Sequence, residues 1–386
     1  MRTIAMEHRN SALRSAPRDA RSIVSDLLAM ADIRIDGARP WDIRVHRPEF
    51  FQRLLGHGSL GLGESYMDGD WDVDQLDEFF HRIFRARLDS HVKSPRLLLP
   101  WLMARLSNRQ SRRRAWWVGE VHYDLGNDFH RAMLGPSMTY SCGYWRHAET
   151  LEEAQSAKLD LICRKLCLQP GMRLLDVGCG WGALMDHAAS HHGAHCTGIT
   201  ISRNQAEYIA NHCTHPHVQV ELRDYRDLAG QYDRIASVGM FEHVGRKNHR
   251  AFMRVMQRCL GEHGVFLLHT IGRNRHGATT DPWIDRYIFP NGELPCLDDI
   301  ASAIDGLFVA EDVHNIGADY DRTLMAWHRN FERAWPAFAQ AMGEGFHRMW
   351  RYYLLSCAGA FRARDLQVWQ WTLTKHGMPG GCGRVT

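Results

Sequence analysis

Apolar and polar positions change rhythm twice along this chain. Between about residues 152 and 272, EEAQSAKLDLICRKL, WGALMDHAASHH and HRAFMRVMQRCL repeat apolar residues three and four apart and predict helices. SRNQAEYIANHC predicts a further helix starting at Ser202. Between these lie MRLLDVGC, HCTGITI, VQVELRD, YDRIASVG and GVFLLHTIG, short apolar runs that predict strands. Such alternation specifies a parallel sheet with helices on both faces. Upstream, residues 20–90 read as a small mixed unit. DIRIDGARPWDIRVH alternates like short antiparallel strands, PEFFQRLL and LDEFFHRIFRARL have helical spacing, and GSLGLGESYMDGDWD between them reads as a glycine-rich loop. From about residue 322 the chain is helix-rich and aromatic, including FHRMWRYYLLSCAGAFRARDLQVWQWTL.

A length of 386 residues fits two domains. The reading places a small α+β N-terminal domain and linker over 1–115 and a larger α/β domain over 116–386. The net charge of +3 is too weak to imply nucleic acid, and no nucleic-acid fold motif accompanies the arginines crowded before residue 115. Arg105, Arg109, Arg112, Arg113 and Arg114 precede Trp116 and Trp117; this stretch is either a solvated linker or a basic, aromatic patch that touches anionic lipid. Ten cysteines without CxxC pairs suit a reducing compartment and argue against secretion and structural zinc. The arginine-rich start lacks the apolar core of a signal peptide and reads as a frayed or locally helical terminus. No run approaches the roughly 20 apolar residues that span a bilayer. The expectation is a cytoplasmic protein, soluble or attached to the inner face of the membrane.

The strongest motif is Leu174-Leu175-Asp176-Val177-Gly178-Cys179-Gly180-Trp181-Gly182, an apolar strand running into Gly-x-Gly-x-Gly and a helix. Glycine permits the tight turn and close backbone approach that a ligand requires. The spacing departs from the dinucleotide pattern, and the lysine of a phosphate loop is lacking. Asp176 before the glycines resembles motif I of class I methyltransferases, whose glycines pack against the methionyl part of S-adenosylmethionine. About twenty residues on, where an acid commonly meets the ribose, the chain has Thr200-Ile201-Ser202-Arg203-Asn204-Gln205.

Further segments narrow the match: His122 to Phe129, Thr139-Tyr140-Ser141-Cys142-Gly143-Tyr144-Trp145, Gly239-Met240-Phe241-Glu242-His243-Val244-Gly245, Leu267-Leu268-His269-Thr270-Ile271-Gly272, Phe289-Pro290-Asn291-Gly292, Gly317-Ala318-Asp319-Tyr320 and Cys357-Ala358-Gly359-Ala360-Phe361-Arg362. Together with motif I they resemble the cyclopropane-fatty-acyl-phospholipid synthase family, related to the mycolic acid cyclopropane synthases. The resemblance runs from about residue 40 to 375. It implies a Rossmann-like seven-stranded sheet, S-adenosylmethionine as methyl donor, unsaturated phospholipid acyl chains as substrate, and a homodimer. It puts cofactor contacts on Tyr140 and Ser141, on Asp176 and Gly178, Cys179 and Gly180, and on Thr200, Ile201, Ser202, Arg203, Asn204 and Gln205. Tyr225 and Arg226 take the adenine-flanking position, where the mycolate enzymes have a tryptophan and an acid. The family's bicarbonate site maps onto Cys142, Glu242, His269, Ile271 and Tyr320, and its active-site cysteine onto Cys357.

The implied chemistry makes sense of these residue types. An alkene that takes a methyl from a sulfonium becomes a carbocation within an acyl chain, and a methyl proton must leave before the ring closes. A dry pocket, aromatic faces and a nearby base are needed. Tyr140, Tyr144, Trp145, Phe241 and Tyr320 are the candidate rings. Bound bicarbonate can be the base, with His269, Tyr320 and backbone N–H groups near Cys142 and Ile271 donating to it and Glu242 accepting its hydroxyl. Cys357 lies in an apolar, small-residue helix where a buried, inert thiol is the default. The competing readings are another S-adenosylmethionine-dependent C- or N-methyltransferase for a lipid or small molecule, and an inactive cofactor- or membrane-binding protein.

Overall fold

The computed structural model describes residues 19–88, 126–276, 280–383 and 385. The arginine cluster from Arg105 to Arg114, the boundary at 115/116 and His122 to Leu125 lie outside the described residues. The N-terminal unit comprises α1 (Ala20–Ala29), β1 (Arg44–Val45), α2 (Glu49–His57), α3 (Ser59–Met67), β2 (Trp71–Asp72) and α4 (Leu76–Arg85). Then follow α5 (Asn127–Leu134), α6 (Leu151–Lys165), β3 (Arg173–Val177), α7 (Ala183–His192), β4 (His195–Thr200), α8 (Arg203–His212), β5 (Val218–Leu222), β6 (Tyr232–Val238), α9 (His249–Cys259) and β7 (Leu260–Arg273). The chain ends with α10 (Pro282–Tyr287), α11 (Leu297–Ile304), β8 (Val309–Asn315), α12 (Asp319–Arg362) and β9 (Leu366–Thr374).

The main sheet has seven strands in the order β5-β4-β3-β6-β7-β9-β8. β3 to β7 run parallel, and β9 inserts antiparallel to both β7 and β8. Successive side chains serve opposite faces: Leu174, Ala236 and Leu267 pack under α6, α7 and α8, whereas Leu175, Ile235 and Leu268 pack against α9 and α11. α6 starts where a capping box forms, Thr150 Oγ1 accepting from Glu153 N at 3.2 Å and Glu153 Oε2 accepting from Thr150 N at 3.1 Å. Strand order reverses between β3 and β6, and ligands of open α/β sheets collect outside the strand ends at such a reversal.

The N-terminal unit shares its core with α12. Trp71 lies 5.9, 5.2 and 5.2 Å from Phe50, Tyr66 and Phe79, and Tyr66 and Phe80 in turn meet Tyr352 of α12 at 5.6 and 5.1 Å. α12 itself is two helical arms meeting at Gly343, whose φ of 75° only glycine adopts freely. Glu332 clasps the arms together, bound by His328 at 3.2 Å, His347 at 3.0 Å and Arg351 at 3.2 Å.

Three local expectations need correction. The glycine-rich segment after residue 58 is mostly helix, α3. The stretch from Asp32 to His46 forms no hairpin of its own: Ile35 and Ile43 make an isolated bridge, and Arg44–Val45 pairs with Trp71–Asp72. The aromatic C-terminal run leaves the helix at Arg362 and becomes strand β9.

Candidate active site

The motif I loop leaves β3 with Gly178, Gly180 and Gly182 at φ of 83°, 55° and 91°. Gly178 N and Cys179 N both donate to Ile199 O, at 3.0 and 3.1 Å, which ties the loop to the neighbouring strand β4. A Cβ on Gly178 would fall 2.7 Å from Met240, whereas one on Gly180 would meet nothing within 4 Å. Beside the loop opens a cavity of about 190 Å³. Tyr140, Ser141, Asp176, Gly178, Cys179, Gly180, Thr200, Ile201, Ser202, Gln205, Tyr225 and Arg226 all line it. Arg203 and Asn204 do not: they begin α8, and the helical turn carries them off the wall that Ser202 and Gln205 form.

Local hydrogen bonds explain several of these placements. Ser202 caps α8, its Oγ accepting from Gln205 N at 3.3 Å. Thr200 Oγ1 donates to Gln205 Oε1 at 2.8 Å, fixing that amide at the cavity edge. Arg226 grips the buried Asp224 through Nη1, 2.8 and 3.1 Å from its two oxygens, and lies 4.6 Å over the Tyr225 ring. Burial pushes the Tyr225 hydroxyl up to about 12. The notable unforeseen wall residue is Lys158, 1% exposed, with Nζ donating to Ser141 Oγ at 2.9 Å. Gln155, one turn earlier, donates to Ser141 O at 2.9 Å. The signal was present in the sequence: Leu151, Ala154, Gln155, Lys158, Leu159 and Ile162 form the buried stripe of α6, so its lysine and glutamine face inward.

A second group of residues adjoins this cavity. Glu242 is buried, and its Oε1 accepts from Ile271 N at 2.6 Å while Oε2 has no hydrogen-bond partner among the described residues. Burial raises its carboxyl to about 7 against the pull of the backbone N–H groups of Glu242 and Ile271 and of the Thr270 hydroxyl. His269 is buried at the end of the β6-paired stretch of β7, with Gln370 Nε2 3.3 Å from its Nδ1; burial, then the charges of Lys158 and Lys165, hold it well below the usual imidazole range. Cys142 is fully buried, its thiol 3.2 Å from Gly143 O and raised chiefly by burial. Burial also raises the Tyr320 hydroxyl, which feels Cys142, Tyr140, Glu242 and Cys357 around it.

Aromatic rings wall this second group. Tyr320 meets Phe361 at 4.6 Å and Trp327 at 5.8 Å, Trp327 meets Tyr140 at 5.3 Å, and the Tyr140 and Tyr353 hydroxyls are 3.0 Å apart. Trp327, Tyr353 and Phe361 come from α12 and were not foreseen. Three expected ring faces lie elsewhere. Phe241 stacks on His249 at 4.2 Å in the core, Trp145 donates to Thr323 Oγ1 at 2.8 Å under Arg322, and Tyr144 packs on His314. Cys357 is partly buried on α12, its thiol pushed up to about 12 mainly by burial; that opposes thiolate chemistry.

The sheet order, with its antiparallel β9, and a glycine-loop cavity at the strand reversal define a class I S-adenosylmethionine-dependent methyltransferase. The family model described as mycolic acid cyclopropane synthetase matches residues 110–371. The chain is 53% identical over 352 residues to the cyclopropane-fatty-acyl-phospholipid synthase of Escherichia coli, covering 90% of this chain and 91% of that one. It is 33% identical to the tuberculostearic acid methyltransferase UfaA1 of Mycobacterium tuberculosis, over 87% of this chain and 83% of that one. Among solved structures, the cyclopropane synthase MmaA2 of M. tuberculosis aligns with a TM-score of 0.64 and 34% identity, over 67% of this chain and 98% of that one. The chain belongs to the cyclopropane synthase family.

Proposed function

We propose that this chain converts cis double bonds in the acyl chains of membrane phospholipids to cyclopropane rings, with S-adenosylmethionine as donor and bicarbonate as base. The observation that carries the reading is Glu242: a buried carboxylate with one oxygen anchored on Ile271 N and the other without a hydrogen-bond partner among the described residues, beside the ring cluster of Tyr140, Tyr320, Trp327 and Tyr353. The residues fit both groups. Among the described residues, the open space at Gly180 and an Asp176 Oδ1 without a hydrogen-bond partner suit a cationic cofactor in the cavity. Glu242 Oε2, without a hydrogen-bond partner among the described residues, suits the hydroxyl of an anion.

When bound, the cofactor supplies an electrophilic methyl, so the alkene π pair forms the new C–C bond as the C–S bond breaks, and loss of one methyl proton lets its C–H pair close the ring. The chain's residues prepare the site for this. The aromatic walls exclude water and stabilise positive charge. Glu242 orients the base, and Gln370 fixes the His269 ring. Phospholipid as substrate implies action at a membrane surface; among the described residues no helix is long and apolar enough to cross one. We also assign the chain to the inner face of the membrane, as a homodimer, with residues 1–115 as a domain and linker and 116–386 as the catalytic domain.

The test is incubation with unsaturated phospholipid vesicles and methyl-labelled cofactor. Label should enter the lipid with a methylene-sized mass gain and loss of the double bond. A labelled soluble product with unchanged acyl chains would refute the proposal. A methyl-branched chain, the kind of product the name of the UfaA1 relative implies, would replace cyclopropanation by simple methylation.

A further inference from the structure

Two buried ionisable side chains face the cofactor cavity, each left open toward it. Lys158 on α6 is 1% exposed and, among the described residues, donates a hydrogen bond only to a neutral hydroxyl, Ser141 Oγ, at 2.9 Å. Asp176 at the end of β3 is 2% exposed, and its Oδ1 accepts no hydrogen bond among the described residues. Both line the cavity. Buried charges usually pair directly and saturate one another.

We propose that Lys158 and Asp176 form a proton-linked charge gauge in the cofactor site, which sets how far the site prefers the sulfonium of S-adenosylmethionine over the neutral sulfur of S-adenosylhomocysteine. The proposal rests on the cavity being the cofactor site. An ammonium on Lys158 repels a sulfonium and a carboxylate on Asp176 attracts it. Each proton the pair loses therefore favours the substrate form of the cofactor over its product.

The surroundings place that exchange near neutrality. Burial pulls Lys158 down to about 7, opposed by Asp176, and lifts Asp176 to about 7, opposed by Lys158. Below that range the pair is cationic; above it the pair is anionic. Preference for the sulfonium therefore rises with pH. The thiols and imidazoles packed around the pair stay neutral across the range. Burial raises the thiols of Cys142 beside Ser141, Cys163 on α6, Cys179 in the glycine loop and Cys196 on β4, and it lowers His243 to about 4 and holds His269 well below its usual range. Arg226 on the cavity wall is held by Asp224. Glu242 also titrates near 7, but it lies outside the cavity wall, on Ile271 N.

The experiment measures the affinity of both ligands calorimetrically, without lipid, for the wild type and for Lys158→Met/Asp176→Asn. Replacing buried charges with neutral side chains of similar size is commonly neutral or stabilising, so the double variant should fold. The α-amino group common to both ligands largely cancels in the ratio of affinities. In the wild type that ratio should shift toward S-adenosylmethionine by about tenfold between about pH 6 and 8.5, the effect of one pKa unit. In the double variant it should stay flat, which also separates the pair from Glu242. A flat wild-type ratio, or an equally steep ratio in the double variant, overturns the proposal. Should the double variant not fold, Ser141→Ala decides: losing the acceptor disfavours the ammonium and moves the midpoint to lower pH, and an unmoved midpoint overturns the proposal. Failure of the wild type to bind either ligand would defeat the cofactor site itself and this inference with it.

Discussion

Glu242 is where stability and function oppose each other most clearly. Its carboxyl is raised from 4.5 to about 7 because the folded site disfavours the charge. Between those values the folded state holds more protons than the unfolded one, so this residue's contribution falls as pH rises through that window. Glu242→Gln should therefore melt higher than the wild type above pH 7. Its turnover should fall by about a hundredfold or more, as when one well-placed electrostatic group is lost, with cofactor affinity little changed because Glu242 is not a cavity wall. A stable variant with unimpaired turnover would remove Glu242 from the base site. At Gly180 the left-handed φ and the open space beside it argue differently: Gly180→Val strains the backbone by about 1–2 kcal/mol and fills ligand space. Calorimetry should show a large loss of cofactor affinity with the fold retained. Glycines and motif polar residues of this kind were legible because the chain around them is local. Tyr353, Trp327 and Gln370 were not, because they reach the site from α12 and β9, and their spacing alone is that of ordinary core.

Elements were legible where period and capping agreed, as in α6 and α8, and misread where tertiary contacts decided. In α3, glycine is no loop signal: a Cβ at Gly61 would lie 2.0 Å from Arg53 O, and one at Gly63 2.3 Å from Trp283. Close packing against α2 and α10 demands glycine within a helix, overriding its poor propensity. β9 follows α12 after only the three residues Ala363-Arg364-Asp365. Arg364, at φ 61°, marks the turn, and the strand is buried on both faces: Val368 joins the core shared with α12, while Trp369 and Trp371, two apart, face the core of α9 and α11. The hairpin form of α12 makes a prediction of its own. His328, His347 and Arg351 hold the Glu332 carboxyl down to about 2 against the opposing effect of burial. A depressed acid contributes stability above its unfolded pKa and loses it as pH falls from 4.5 toward about 2. Glu332→Gln should cost on the order of 1–2 kcal/mol near neutrality and almost nothing near pH 2. Urea unfolding at both pH values checks this; an equal deficit at both would mean the clasp acts by packing.

At the scale of the whole molecule, the N-terminal unit shares a core that is continuous with α12. The contact is narrowest at Gly359, where a Cβ would lie 2.7 Å from Asp77 O, His81 N and Phe80 of α4. Two of those three atoms are backbone and cannot rotate away, so Gly359→Val must push α4 and α12 apart. Overpacking of this kind costs about 1–3 kcal/mol, and the melting temperature should fall by several degrees, as about 2–4 °C per kcal/mol predicts for larger domains. The consequence for function is selective. α12 carries Tyr320, Tyr353 and Cys357, but neither it nor the N-terminal unit contributes a wall to the cofactor cavity. Displacing α12 should thus disturb the aromatic site while leaving the cavity intact. Gly359→Val should lose turnover on unsaturated phospholipid, and its affinity for S-adenosylhomocysteine should stay near the wild-type value when both are measured well below the melting transition. Parallel loss of both would mean that the N-terminal unit supports the entire catalytic domain; retention of both would mean that the α4–α12 contact yields without moving the aromatic wall.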